Sequence, residues 1–530
     1  MALPPVQIGS SSPARASRNT GSSGGQSNPL LYVVGGILLM LTALQVSLTG
    51  SGLWILALMI FAVGGSVVFR RPAIGILIYL TTFLFTYPAW MRGAGNFTVN
   101  NMMGLILLPM MLYGLLREGD LWLLKYRPLV LLGLIVAVLL TSAAFYIPTA
   151  EYIDVSDAVR METSRRAQGP ALIATRDAGT KFLTRFAFLL FFVFFIRSPR
   201  DVKLVCSIII GCLLLTYFNV STEAGAFGWG TGRLRVLGES GPAIYAGRNP
   251  NKLAYFALFG LTLLWYARRA IKSPWMYPLW FIATTIAFVM IPMTGSRSGI
   301  LNLLFFVIIV LLEGRFSLKK VAGVATLGLV AIIQFVYNVN VLSVVLPEDL
   351  ARRLTSFNVR TEVLTEGVEA SGSAEGRLQT AQSALRVWRL HPLFGVGIGN
   401  FTTERAATDP TGTVGPPHNS YLWALSTGGL VTFVMYLLLF VWTFRRIREI
   451  GWEYDARYGP VGLGWLVNAL RTALIGFMIF SFFADMWHHI LFYILMGTCL
   501  SVIRLHDVYA ETGEVPVAFR LGRQPRLAGA

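Results

Sequence analysis

Five histidines occur in 530 residues. One of them, His418, stands in the stretch Pro416-Pro417-His418-Asn419-Ser420, directly ahead of an apolar run long enough to cross a membrane. An imidazole with its ordinary pKa of about 6.5 can take a proton from a hydroxyl near neutral pH. The two prolines restrict the backbone before it, and Asn419 or Ser420 can cap the helix that begins there. His418 is then held at a helix N-terminus, where free N–H groups and the dipole favour an anion. The same residues also read as an interfacial histidine bonded to a loop carbonyl, and spacing alone leaves both readings open.

Three further groups offer chemistry. Arg297 sits in Met293-Thr294-Gly295-Ser296-Arg297-Ser298-Gly299, a tight turn between two apolar runs. Small neighbours there would let a bulky ligand approach, although a snorkelling arginine is the bland alternative. Arg377 lies in the first turn of a helix expected over Ala374 to Leu390, where a cation opposes the helix dipole and needs an anionic ligand or the adjacent Glu375. Arg386 and Arg389, near the other end of that helix, complement the dipole, and Arg389 is kept as a candidate substrate contact. Leu378, Ala381, Leu385 and Trp388 recur at spacings of three and four and predict its apolar stripe. Finally, Gly247-Arg248-Asn249-Pro250-Asn251 offers a guanidinium and two amides, though Asn-Pro-Asn also reads as a turn and cap.

The elements that must position these groups are membrane helices. The chain is 55% hydrophobic and 13% charged, with mean hydropathy +0.62; a soluble domain carries roughly 25% charged residues. Apolar runs of the length that crosses a bilayer core of about 30 Å recur throughout. They are expected at 29–48, 52–69, 72–90, 102–116, 128–147, 182–196, 203–220, 252–267, 277–293, 298–313, 320–342, 420–443, 464–484 and 488–503. The fold class is therefore an all-α polytopic integral membrane protein of about 12–14 transmembrane helices, with a large loop containing short helices.

Residues 1–28 are Ser/Gly/Pro-rich and read as a disordered cytoplasmic terminus, and the run after them as a retained anchor. A transmembrane bundle at 29–343 carries loops 148–181 and 221–251. A catalytic loop comes next at 344–419, then C-terminal spans at 420–504 and a cytoplasmic tail at 505–530. With the N-terminus inside, short inside loops carry Arg70-Arg71, Arg197/Arg200/Lys203, Arg268/Arg269/Lys272 and Arg445/Arg446/Arg448, as the positive-inside rule requires. The long loops, and His418, then fall outside.

Net charge is +18. Much of it lies between spans, serving orientation and anionic ligands rather than nucleic acid. The three cysteines fall in apolar runs and read as small core residues. No metal-ligand spacing is present. Gly395-Val396-Gly397-Ile398-Gly399-Asn400-Phe401 looks only loosely like a nucleotide loop, lacking a strand before it and a helix after it, and reads instead as a tight turn packed on the membrane surface.

Taken in order, the Ser296-Arg297-Ser298-Gly299 turn, the segment from Gly376-Arg377-Leu378 through His391-Pro392-Leu393-Phe394-Gly395-Val396-Gly397 to Phe401, and His418-Asn419-Ser420-Tyr421-Leu422 with Gly428-Gly429 resemble the O-antigen ligase / polysaccharide polymerase superfamily. Asn249-Pro250-Asn251-Lys252-Leu253-Ala254 also looks like its pattern, and the resemblance covers about 240–440. It implies an inner-membrane glycosyltransferase with its site facing the periplasm. The donor would be a glycan on undecaprenyl diphosphate, the acceptor a hydroxyl of a glycan, of lipid A–core or of a protein, with neither metal nor nucleotide required. By resemblance Arg297 and Arg377 would bind the diphosphate and His418 would be the essential histidine. Glu375 would orient Arg377, with Asn419, Arg248, Asn251 and Arg389 contacting substrate.

Two other classes stand beside this one. A lipid-linked glycan flippase would also need arginines for a diphosphate, but would place charges along spans lining a cavity. A non-catalytic assembly subunit would tolerate loss of His418.

Overall fold

The computed structural model describes residues 65–84, 99–118, 122–146, 170–223, 250–294, 296–313, 374–408, 417–457 and 462–517. The expected spans 29–48 and 320–342, most of 52–69, Arg248 and the two terminal tails apart from 505–517 lie outside them. So do most of the 148–181 and 221–251 loops and residues 344–373 and 409–416. The chain divides into two compact units, and the helices from Pro72 onward lie in the larger, which includes 67–520.

All regular structure among the described residues is helical. In chain order the helices are α1 (Pro72–Leu84), α2 (Val99–Glu118), α3 (Arg127–Ala144), α4 (Pro170–Phe195), α5 (Pro199–Glu223), α6 (Pro250–Ala267) and α7 (Met276–Met293). They continue with α8 (Arg297–Leu312), α9 (Ala374–Leu390), α10 (Phe401–Thr408), α11 (Ser420–Arg457), α12 (Gly464–Phe480) and α13 (Ile490–Thr512). Six of the described helices are long and apolar enough to cross a membrane, and the protein is an all-α polytopic membrane protein. Two expected boundaries move. Helix α4 begins at Pro170, inside the expected 148–181 loop, because a proline is well placed at a first helical position. Helix α13 runs to Thr512, past the expected span end, and stops where Gly513 adopts φ 68°.

Hydropathy dictates the layering. Helices α6 and α13 are apolar on every side and lie inside, buried along Leu253–Leu264 and Ile490–Ile503. Helix α7 lies at the edge and leaves Leu279, Phe281 and Ile282 exposed, the face an apolar helix turns to lipid. Polar groups in the bundle are tied across helices: the Asn302 side-chain amide donates to the Gly476 carbonyl at 2.8 Å, joining α8 to α12. At one face Arg197 pairs with Glu118 at 2.5 Å, Arg446 with Asp507 at 2.5 Å, and Arg471 with Glu313 at 3.6 Å. Arg504 lies inside α13, its guanidinium 3.7 Å from the Trp122 ring centroid.

The feature that positions the opposite face is a break in α11. Gly429 has φ 64° and ψ −168°, outside helical geometry and in a region open essentially to glycine alone. The break frees peptide groups that a membrane interior could not solvate. The segment after α9 takes them up. The Val396 and Gly397 N–H groups donate to the carbonyls of Ser426 and Thr427 at 3.2 and 2.7 Å. The Leu430 and Val431 N–H groups donate to the carbonyls of Pro392 and Leu393 at 2.9 and 3.2 Å. On its other side the segment meets α3: Ile398 N–H donates to the Leu139 carbonyl, and the Ser142 hydroxyl lies 2.9 Å from the carbonyls of Phe394 and Gly395. The Gly-Val-Gly-Ile-Gly motif thus packs into a broken helix rather than on the membrane surface. Its glycines allow contact of backbone with backbone, since a Cβ on Gly397 would lie 2.2 Å from the Ala143 nitrogen.

A Cβ on Gly429 would come 2.2 Å from the Leu393 carbonyl carbon. Gly429→Ala should therefore cost upwards of about 2 kcal/mol. Gly211→Ala, where nothing lies within 4 Å of the new methyl, should change stability by less than about 1 kcal/mol. Thermal unfolding of the purified variants in detergent reads the difference.

Candidate active site

His418 comes after a buried Pro417, is itself exposed, and adopts φ 47°, the one positive φ among described non-glycine residues. Left-handed backbone is uncommon for such a residue and is held here by the hydrogen bonds of Asn419 and Ser420. Asn419 caps α11: its side-chain oxygen accepts from the N–H of Tyr421 and Leu422 at 2.9 and 3.0 Å. Ser420 fastens the same end to the turn after α12. Its N–H donates to the Ser481 carbonyl at 2.8 Å, its hydroxyl donates to the Ala484 carbonyl at 2.8 Å, and it accepts from the Met486 N–H at 2.7 Å. The amide oxygen of Asn419 is thus occupied by the helix.

The 481–489 turn brings charge to this end of the bundle. Asp485 Oδ2 lies 4.0 Å from Lys252 Nζ and 3.6 Å from His488 Nε2. The Arg185 guanidinium, carried by α4, donates to the His488 carbonyl. The His488 ring stands edge-on to Trp423 of α11, centroids 4.5 Å apart. Burial first, then the positive charges of Lys252, Arg185, His489 and Lys181, hold the His488 imidazole well below the usual histidine pKa, so it stays neutral.

Lys252 leads to the second predicted motif. It stands in the first turn of α6 beside Asn251, whose side-chain oxygen accepts from the Ser296 hydroxyl at 2.7 Å. Ser296 in turn caps α8, accepting from the Gly299 N–H at 3.0 Å, and Arg297 opens that helix. Asn251 therefore links the two motifs instead of closing a local turn. Gly299 serves packing rather than ligand access, because a Cβ there would lie 2.5 Å from the Ala254 Cβ. The helix N-termini of α6, α8, α11 and α13 meet at this end, and each favours an anion.

Arg377 and Glu375 lie in the first turn of α9, as expected. The predicted stripe of α9 is displaced, however. Thr380, Ser383, Ala384 and Val387 are buried, while Leu378 is exposed and Ala381, Leu385 and Trp388 are half-buried. Helix α9 packs against α11 and α10, and close approach selects the face of small side chains. Ala384, Val387, Val396 and Phe401 form a small core there with Tyr146 and Leu422. Next to it Glu404, wholly buried, accepts from the Tyr146 hydroxyl and lies 3.1 Å from His391 Nε2. Arg386 donates to the Thr408 carbonyl at 2.9 Å. Arg389 is exposed at the end of α9 opposite Arg377, where a cation suits the dipole.

The structure thus brings together Asn251, the start of α8 and the end of α11 that holds His418. It adds Lys252, Arg185, Asp485 and His488, which sequence reasoning left out. A signal was present: Asp485-Met486-Trp487-His488-His489 puts two of the five histidines beside an acid in a short turn between apolar runs.

The bundle thus gathers a histidine with positive φ and the N-termini of four helices, which favour an anion, at one end of a polytopic membrane protein. Residues 281–437 match the family described as O-Antigen ligase. That region belongs to the O-antigen ligase-related superfamily, a glycosyltransferase-like family of ligases and polymerases. The match spans α7 to the middle of α11 and includes Arg297, Arg377 and His418. No curated protein matches the chain.

Asn419→Ala removes the cap of α11 and should cost about 1 kcal/mol, read by thermal unfolding. His488 stays neutral in the fold, whereas the unfolded chain takes up a proton below about pH 6.5. Stability should therefore fall as pH drops through that value, and His488→Gln should flatten this part of the pH profile.

Proposed function

We propose that the protein transfers a glycan from an undecaprenyl diphosphate donor to a hydroxyl acceptor at the periplasmic face of the bacterial inner membrane. The observation that carries this reading is His418, held in a left-handed conformation at a capped helix N-terminus inside the O-antigen ligase region. The arginines of the opposite face, Arg197, Arg446 and Arg471, support a cytoplasmic side there and an outward-facing site here. In this proposal both termini are cytoplasmic.

In the reaction His418 takes the proton of the acceptor hydroxyl as its oxygen attacks the anomeric carbon. The bond from that carbon to the phosphate oxygen breaks, and its electron pair leaves with the diphosphate. Arg297 and Arg377 neutralise the departing charge, with Glu375 orienting Arg377. Arg248, Asn251 and Asn419 contact the substrate around that centre. One displacement from the opposite side inverts the anomeric configuration; a retaining route would need a carboxylate nucleophile. A glycan, lipid A–core or protein hydroxyl each fits this chemistry.

The test is transfer by the reconstituted protein with an undecaprenyl-diphosphate glycan and each acceptor class. His418→Ala should lower the rate by at least about a hundredfold. Arg377→Lys should lose about tenfold or more if bidentate contact matters. Transfer by His418→Ala at the wild-type rate contradicts the assignment of the base. Movement of the lipid across the bilayer with no acceptor modified favours a flippase instead.

A further inference from the structure

We propose that Lys252 is a further donor-binding residue, its ammonium taking a phosphate of the lipid diphosphate, with Asp485 as the counter-ion that holds it until the donor arrives. This rests on the transfer reading and adds a residue outside the matched region.

Place is the first argument. Lys252 stands between the two motifs that carry the expected chemistry. On one side Asn251 is bonded to Ser296, the residue before Arg297. On the other, Asp485 belongs to the turn fastened to Ser420, two residues after His418.

Electrostatics is the second. A cation in the first turn of a helix opposes the dipole. Lys252 does so where three other helix N-termini face the same way and where Arg185 and Lys181 add positive charge, felt at His488. Asp485 is shared between Lys252 and His488 at 4.0 and 3.6 Å, both beyond hydrogen-bond reach. The Nδ1 atom of His488 is buried without a hydrogen-bond partner, an uncommon state for a buried polar group. A phosphate entering beside Asp485 would give the Lys252 ammonium an acceptor within hydrogen-bond reach, which Asp485 at 4.0 Å does not.

A merely structural ion pair makes a different prediction, because either partner's loss would then act alike. The experiment measures binding of undecaprenyl diphosphate, undecaprenyl monophosphate and undecaprenol to the full chain in nanodiscs. Lys252→Gln should weaken undecaprenyl diphosphate at least about tenfold, the worth of one charge-assisted bond, and leave undecaprenol unchanged. Lys252→Arg should restore most of the loss. Asp485→Asn, which frees the ammonium, should tighten undecaprenyl diphosphate. Wild-type affinity in Lys252→Gln, or a loss in Asp485→Asn matching that in Lys252→Gln, overturns the proposal. Equal wild-type affinity for undecaprenol and undecaprenyl diphosphate overturns the transfer reading itself, and the role of Lys252 with it.

Discussion

The break at Gly429 is the constraint on which this end of the molecule depends. An unbroken α11 would satisfy its own peptide groups and leave the segment after α9 with no partner. Once the helix opens, four peptide groups must find partners inside protein. The 391–398 segment supplies them through hydrogen bonds of 2.7–3.2 Å. The same segment is bonded to α3 through Leu139 and Ser142. One broken helix therefore fixes where α9 and its Arg377 join the bundle and sets off the short first piece of α11, directly after His418.

That first piece is held at its other end as well. Asn419 caps it, and Ser420 makes three hydrogen bonds to the 481–489 turn. In the proposed reaction, a histidine on a floppy loop would have to be ordered each time it met an acceptor. Here the unfavourable φ of His418 is maintained by bonds on neighbouring residues, so the ordering is already in the fold.

Much of this was legible in the sequence because hydropathy over long windows is a strong signal. The spans at 128–147, 277–293 and 298–313 fall on helices to within a few residues. The end of α9 before Pro392 and the cap at Asn419 were likewise readable from local chemistry. What failed depends on contacts between distant segments. The glycines of 395–399 announce a close approach without saying to what, and their partner is a helix break some thirty residues on. The buried face of α9 went to Thr380, Ser383 and Ala384 because a small face fits close packing better than the stripe of larger side chains. Asn251 looked like a turn residue because its partner, Ser296, is 45 positions away. Lys252, Asp485 and His488 become one cluster only when α6 packs on α12.

The central claim is that the helix N-termini beside His418 receive a lipid diphosphate. It is tested most directly by cryo-electron microscopy of the protein in nanodiscs with undecaprenyl diphosphate. The account predicts headgroup density at the N-termini of α6 and α8, within reach of Lys252 and Arg297 and on the His418 side of the bundle. Density at the opposite face, among Arg197, Arg446 and Arg471, would contradict it.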